Sequence, residues 1–254
     1  MPVVLLILAL LLGAISPARA QPAAAWADPR LVDDFITIAL GREFPDEQTN
    51  AGRLVRWTRP IRVSATGARP EEWADAFAAH VRRLSRITGH PIELRRGGEV
   101  DVLAVFVPTL TAAAIAPYAA TYRRLFSDEA RFRTHMDRIE SGALNAICLA
   151  NMRVTREFAV VAAVAFIPLD QGPRVVRQCI VEELSQALGL PNDDDAVAPS
   201  IFNDRSRYVE LTAKDILMLR LLYHPALRPG MNAAEVRAAA PRALADLRRR
   251  PFRD

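Results

Sequence analysis

The residues best placed to do chemistry lie in Glu182-Glu183-Leu184-Ser185-Gln186-Ala187-Leu188-Gly189-Leu190-Pro191-Asn192. Their spacing is that of the zinc-binding helix H-E-x-x-H. There, two histidines one turn apart hold the metal and the glutamate acts on a bound water. Glu182 and Gln186 stand in the histidine places, and Glu183 keeps the glutamate place. In the longer pattern H-E-x-x-H-x-x-G-x-x-H a glycine ends the helix and a third ligand follows. Gly189 occupies that glycine position and Asn192 that ligand position. The pattern therefore predicts a helix, a turn and a cleft, with a donor set made of oxygen. Zinc prefers nitrogen and sulfur, whereas carboxylates and carboxamides suit calcium or magnesium, with Asp193, Asp194 or Asp195 as further donors. The expectation is no resident cofactor; zinc is disfavoured, and calcium or another oxygen-preferring cation is the alternative.

On a helical wheel Val176, Ile180, Leu184 and Ala187 form one apolar stripe, and Glu183 falls inside it. Glu182 and Gln186 flank it beside Cys179. A carboxylate on a core-facing stripe needs a partner, a metal or a proton. Glu183 is thus the candidate general base. The plainer alternative pairs it with a distant arginine, reads Glu182 as an exposed charge and Gln186 as a hydrogen-bonding neighbour, and gives Asn192 ordinary turn chemistry. The scattered His80, His90, His135 and His224 have no ligand spacing, and His224 is expected to cap or fill the core. No nucleophile elbow, dinucleotide fingerprint or phosphate loop is present.

The elements that must position these residues follow from periodicity and breakers. Residues 29–41 read as an amphipathic helix, and Trp57 to Ser64 as a strand with Pro60 at an edge. A helix runs from Pro70 to Ile87. Ile92 to Arg95 and Val102 to Val107 are strands, separated by the turn Arg96-Gly97-Gly98. Residues 111–141 are mainly helical. Asn145 to Asn151 and Glu157 to Leu169 form a hairpin, and the continuous apolar run Phe158 to Ile167 suits a central strand covered on both faces. Pro173 to Leu188 is the helix of interest. Leu211 to Tyr223 is a helix with a Thr212–Asp215 capping box, and Ala233 to Arg250 is a last helix interrupted near Pro241. This gives an α+β or α/β class, with α+β the expectation: a small mixed sheet packed against helices.

Half the residues are apolar, enough for a core. The apolar run Val3 to Ile15, the break at Ser16-Pro17 and Ala18-Arg19-Ala20 fit a signal peptide over residues 1–20 with cleavage before Gln21. The protein is thus expected to be secreted or periplasmic, with membrane contact only if that segment stays uncleaved. Residues 21–56 then form a flexible lead (Gln21 to Ala27) and a short helix, 57–231 the main domain, and 232–254 a C-terminal helix and basic tail. In an oxidising compartment Cys148 and Cys179 are expected as a disulfide, which would contribute roughly 3–4 kcal/mol; two buried thiols are the alternative. The net charge is only +4. Arg248-Arg249-Arg250 reads as a solvated tail, which argues against a nucleic-acid partner.

Residues 178–231 resemble the signature region of an exported bacterial family catalogued as domain of unknown function 2927. The match is carried by the segment Cys179 to Asp193, by Ser200-Ile201-Phe202-Asn203-Asp204, by Leu211-Thr212-Ala213-Lys214-Asp215, by Leu221-Leu222-Tyr223-His224-Pro225 and by Arg228-Pro229-Gly230-Met231. More remotely, the same region is similar to the matrix-metalloprotease branch of the metzincins. Ser200-Ile201-Phe202 stands where those proteins place their methionine turn, and Leu211 to Tyr223 resembles their final helix. That resemblance implies a zincin-like fold whose edge strand, here around Leu144 to Ala150, holds an extended peptide. With all three histidines replaced, the expected function is an exported pseudoenzyme that binds a peptide or envelope partner. The alternatives are an active metallopeptidase-like hydrolase that uses Glu183, and a structural envelope protein.

Overall fold

The computed structural model describes residues 24–43 and 52–250. The signal segment and its cleavage point lie outside them, and among the described residues no helix is long and apolar enough to cross a membrane. Five strands form one mixed sheet: β1 (Ile61–Gly67), β2 (Ile92–Leu94), β3 (Val102–Val107), β4 (Leu149–Val154) and β5 (Val160–Pro168), in the order β2-β1-β3-β5-β4. All neighbours run parallel except the edge strand β4, which is antiparallel to β5. The apolar run read as a central strand does sit between two partners. Its alternate side chains enter different layers, Ala163 and Ile167 one and Val164 and Phe166 the other.

Helices cover both faces. On the larger side lie α1 (Leu31–Leu40), α2 (Ala74–Thr88, preceded by a 3-10 turn at Pro70–Trp73), α6 (Pro173–Gln186), α7 (Ala213–Leu222) and α8 (Ala233–Arg249). The smaller layer is built by α3 (Ala112–Ile115), α4 (Ala119–Arg123) and α5 (Glu129–Glu140) around Ile115, Tyr122 and Ile139. The helical reading of 111–141 holds as three pieces, because Pro117 and the Asp128 cap divide it.

Several expectations change. The first strand starts at Ile61, after Pro60, rather than at Trp57, whose indole is fully buried against the end of α6. The hairpin's first strand starts at Leu149, because Asn145 sits at φ 52 in a turn. The last helix runs unbroken through Pro241: its buried stripe of Val236, Ala240, Ala243 and Leu247 packs on α1 and α7, and that outweighs one missing N–H. The lead is less free than expected, with a helical turn over 24–27 and Ala25 in the core. Arg248 hydrogen-bonds the Trp26 carbonyl and lies over its ring, so the basic end is partly docked. His224 does cap locally: Nδ1 accepts from the Ala226 amide, and Nε2 pairs with Asp246.

Cys148, just before β4, is disulfide-bonded to Cys179 on α6 across a sequence separation of 31. The link fixes the edge strand against the helix that carries Glu182 and Glu183.

Candidate functional site

Helix α6 is buried almost all round, including its polar residues. Glu182 is 6% exposed, Glu183 3% and Gln186 2%. Pro173 starts it at N1, where no N–H is missed. At its end Gly189 adopts φ +120, and a Cβ there would lie 2.2 Å from the Val55 carbonyl, so the glycine of the pattern is required by backbone contact. The last carbonyls are capped by side chains from elsewhere: Trp57 Nε1 donates to Ala187 (2.8 Å) and Tyr223 OH to Leu188 (2.9 Å).

The loop that follows is held as firmly. Asp215 of the Thr212–Asp215 capping box also reaches back to the Ser200-Ile201-Phe202 turn. Its Oδ1 accepts from Ser200 Oγ at 2.6 Å, and its Oδ2 accepts from the amides of Ile201 (3.0 Å) and Thr212 (2.7 Å). Burial pushes its carboxyl up, while these hydrogen bonds favour the ionised form. Asn203 Nδ2 donates to the carbonyls of Asp195 and Val197, and the Asp194 amide donates to Phe202. The acidic run 193–195 is thereby folded back beside Asp204.

The carboxyl oxygens of Glu182, Asp193 and Asp204 lie within 4.8 Å of one another. Gln186 Nε2 donates to Asp193 Oδ2 at 2.9 Å, which aims that side chain toward the helix. Glu182 Oε1, Glu183 Oε2 and Asp193 Oδ1 are sealed from solvent without a hydrogen bond. Asn192 points its amide elsewhere, donating to the Thr37 carbonyl of α1 at 3.1 Å and packing on Gly41. Of the expected positions, then, Glu182 and Gln186 meet at Asp193, Glu183 lies beside them, and Asn192 ties the loop to α1.

Like charges dominate this region. Burial pushes Asp193 up to about 7, with Asp204 adding to the effect and the Gln186 hydrogen bond opposing it. Asp193 is part-buried as a residue, but its Oδ1 has no solvent contact, which accounts for so large an effect. Glu182 is driven well above the carboxylate range by burial, then by Asp193, Asp204 and Glu43. Glu183 is driven up by burial, then by Glu43 and Glu182. The distant arginine considered for Glu183 is not among the groups that act on it most; those are acidic. Asp193 was one of the three aspartates the sequence offered as further donors. Asp204 and Glu43 carried no spacing signal, since only the Asn203 turn and the contact of residue 43 with Pro191 bring them in.

Zinc does not fit these oxygen donors. A second grouping places Cys148 Sγ near Glu182 and Glu183, but that sulfur is spent in the disulfide. His80, the histidine against α6, contacts Ser185 at 3.4 Å; burial and Arg83 hold it neutral, with its pKa down at about 3.

A search of curated proteins gives no match. The family model described as a protein of unknown function (DUF2927) matches residues 28–242, which take in every element from α1 through most of α8. The chain belongs to the DUF2927 family.

Proposed function

We propose that this protein is an exported, zincin-like domain without catalytic zinc that binds an extended peptide by strand addition at β4. The observation that carries the reading is the presence of Glu182, Gln186 and Asn192 at the three positions where the zinc pattern has histidine; a buried helix α6, the close backbone contact at Gly189 and the Ser200-Ile201-Phe202 turn held by Asp215 support it. The disulfide supports an oxidising compartment. Strand addition is supported by the position of β4 at the end of the sheet, where its second edge pairs with no strand among the described residues. Ile147, 56% exposed, stands just ahead of it as an apolar anchor, and the disulfide keeps the strand at a fixed distance from α6.

Metal analysis of protein purified without chelators tests the first half: no stoichiometric zinc is expected, and one zinc per chain would overturn the reading. For the second half, a peptide-display selection is expected to enrich extended apolar sequences that no longer bind Ile147→Asp. Enrichment indifferent to that change refutes addition at β4.

The buried, unpartnered Oε2 of Glu183 favours one second reading, a hydrolase in which Glu183 is the general base. Glu183→Gln should then abolish turnover while leaving the fold intact; hydrolysis unchanged in that variant removes it.

A further inference from the structure

We propose that Glu182, Asp193 and Asp204 form a binding site for a hard divalent cation, with calcium the preferred ion. The three carboxyl groups come from separate segments: α6, the loop after Gly189, and the turn after Phe202. Two oxygens that share a calcium at 2.3–2.6 Å lie at most about 5 Å apart, and the mutual separations here fall within 4.8 Å. Magnesium, at about 2.0–2.1 Å, would require a tighter cage. The acidic cluster does not stand alone as an observation. Glu182 is 6% exposed, yet its Oε1 has no hydrogen-bond partner, and Asp193 Oδ1 beside it is likewise sealed and unpartnered. Buried carboxyl oxygens are almost always satisfied, and a cation would satisfy both at once.

The surroundings prepare the site. Gln186 fixes Asp193 through Oδ2, leaving Oδ1 for the ion. The Gln178 side chain favours the ionised form of Glu182, against the effect of burial. The Ser200–Asp215 bonds and the Asn203 amide hold the two loop segments at their separation without spending any of the three ligands. Burial grades from Glu182 inside to Asp204 at the surface, which gives an ion a path of entry and leaves its outer face for water. Glu43 adds negative field from outside the set. Ligands that must lose protons make binding release them, so apparent affinity should rise with pH.

The experiment uses the mature, disulfide-bonded chain stripped with chelator and dialysed. Calcium chloride is titrated calorimetrically and by thermal melting at pH 6, 7 and 8, with magnesium chloride and zinc chloride as parallel probes. One calcium per chain is expected, with a rise in Tm and tighter binding at the higher pH. Asp204→Asn, at the exposed rim where folding is not at stake, should weaken calcium at least tenfold, as should Asp193→Asn. Asp195→Asn removes a nearby charge outside the set and should change affinity less than threefold. No calcium-dependent change up to 10 mM, or equal losses in the Asp195 and Asp204 variants, overturns the proposal. Binding of zinc alone overturns both this site and the zinc-free reading. A null result with every ion overturns only this site.

Discussion

Replacing Asp193 by asparagine should make the cation-free protein more stable at alkaline pH, an unusual result for the loss of a hydrogen-bonded carboxylate. In the folded chain this carboxyl holds its proton up to about 7, against 3.8 ordinarily. A group whose folded pKa is raised contributes stability that is complete below its unfolded pKa and is lost as pH climbs through the folded value. The window is therefore pH 4 to 7, and the full difference corresponds to about 4 kcal/mol. Asparagine keeps an oxygen for the Gln186 amide and never ionises, so it escapes that loss. Urea unfolding in chelator at half-unit steps from pH 5 to 8 measures the effect. With an m-value of about 2–3 kcal/mol/M for a domain of this size, the variant's midpoint should exceed wild type by about 1–2 M at pH 8. The gap should shrink toward pH 5. His80, held neutral in the fold, lowers stability below its unfolded pKa of about 6.5, but it does so equally in both proteins and cancels in the difference. Parallel pH profiles, or a variant less stable at pH 8, would show that Asp193 does not carry the burden its surroundings imply.

Two further outcomes follow from the scaffold. Reducing the disulfide, or replacing both Cys148 and Cys179 by alanine, should cost about 3–4 kcal/mol for a loop of 31 residues, read as a lower urea midpoint. Lys214, the chain's only lysine, is 1% exposed and bonds Asp28, Asp34 and the Ala198 carbonyl; Lys214→Met should cost about 3–5 kcal/mol by stranding two acids, and an unchanged thermal midpoint would contradict that.

What could be read in the residues was whatever depends on neighbours in sequence. The strand Val102 to Val107 appears with the boundaries its apolar run implies, and the Thr212–Asp215 box forms with both reciprocal bonds. The helix bearing Glu183 ends as its glycine requires. Periodicity could not show that Asp215 has a second task, gripping the Ser200 turn, because a capping box and a clamp have the same local spacing. Nor could it separate Asn192 from Asp193. Both follow the helix within a few residues, and the choice is made by Thr37 and Gly41 on an element 150 residues earlier in the chain, roughly, whose contact draws Asn192 away. The same limit hid Asp204 and Glu43. Each reaches the cluster through a chain reversal rather than a repeat, and burial on a helix face predicts a carboxyl group's need for a partner without naming it.

That unnamed need bears on what the acidic face of α6 is for. A helix buried as fully as α6 would be more stable with apolar residues at positions 182 and 186, since an unpaired buried carboxyl group costs several kcal/mol. Glutamate at 182 instead meets two more acids brought in from the following loops, and the surrounding structure offsets the cost at several points. The disulfide anchors α6 at Cys179, Trp57 and Tyr223 seal its last carbonyls, and Asp215 locks the loop that delivers Asp193 and Asp204. Packing alone does not explain convergent carboxylates held in register by separate supports, whereas an ion that requires oxygen donors would explain the acids' convergence.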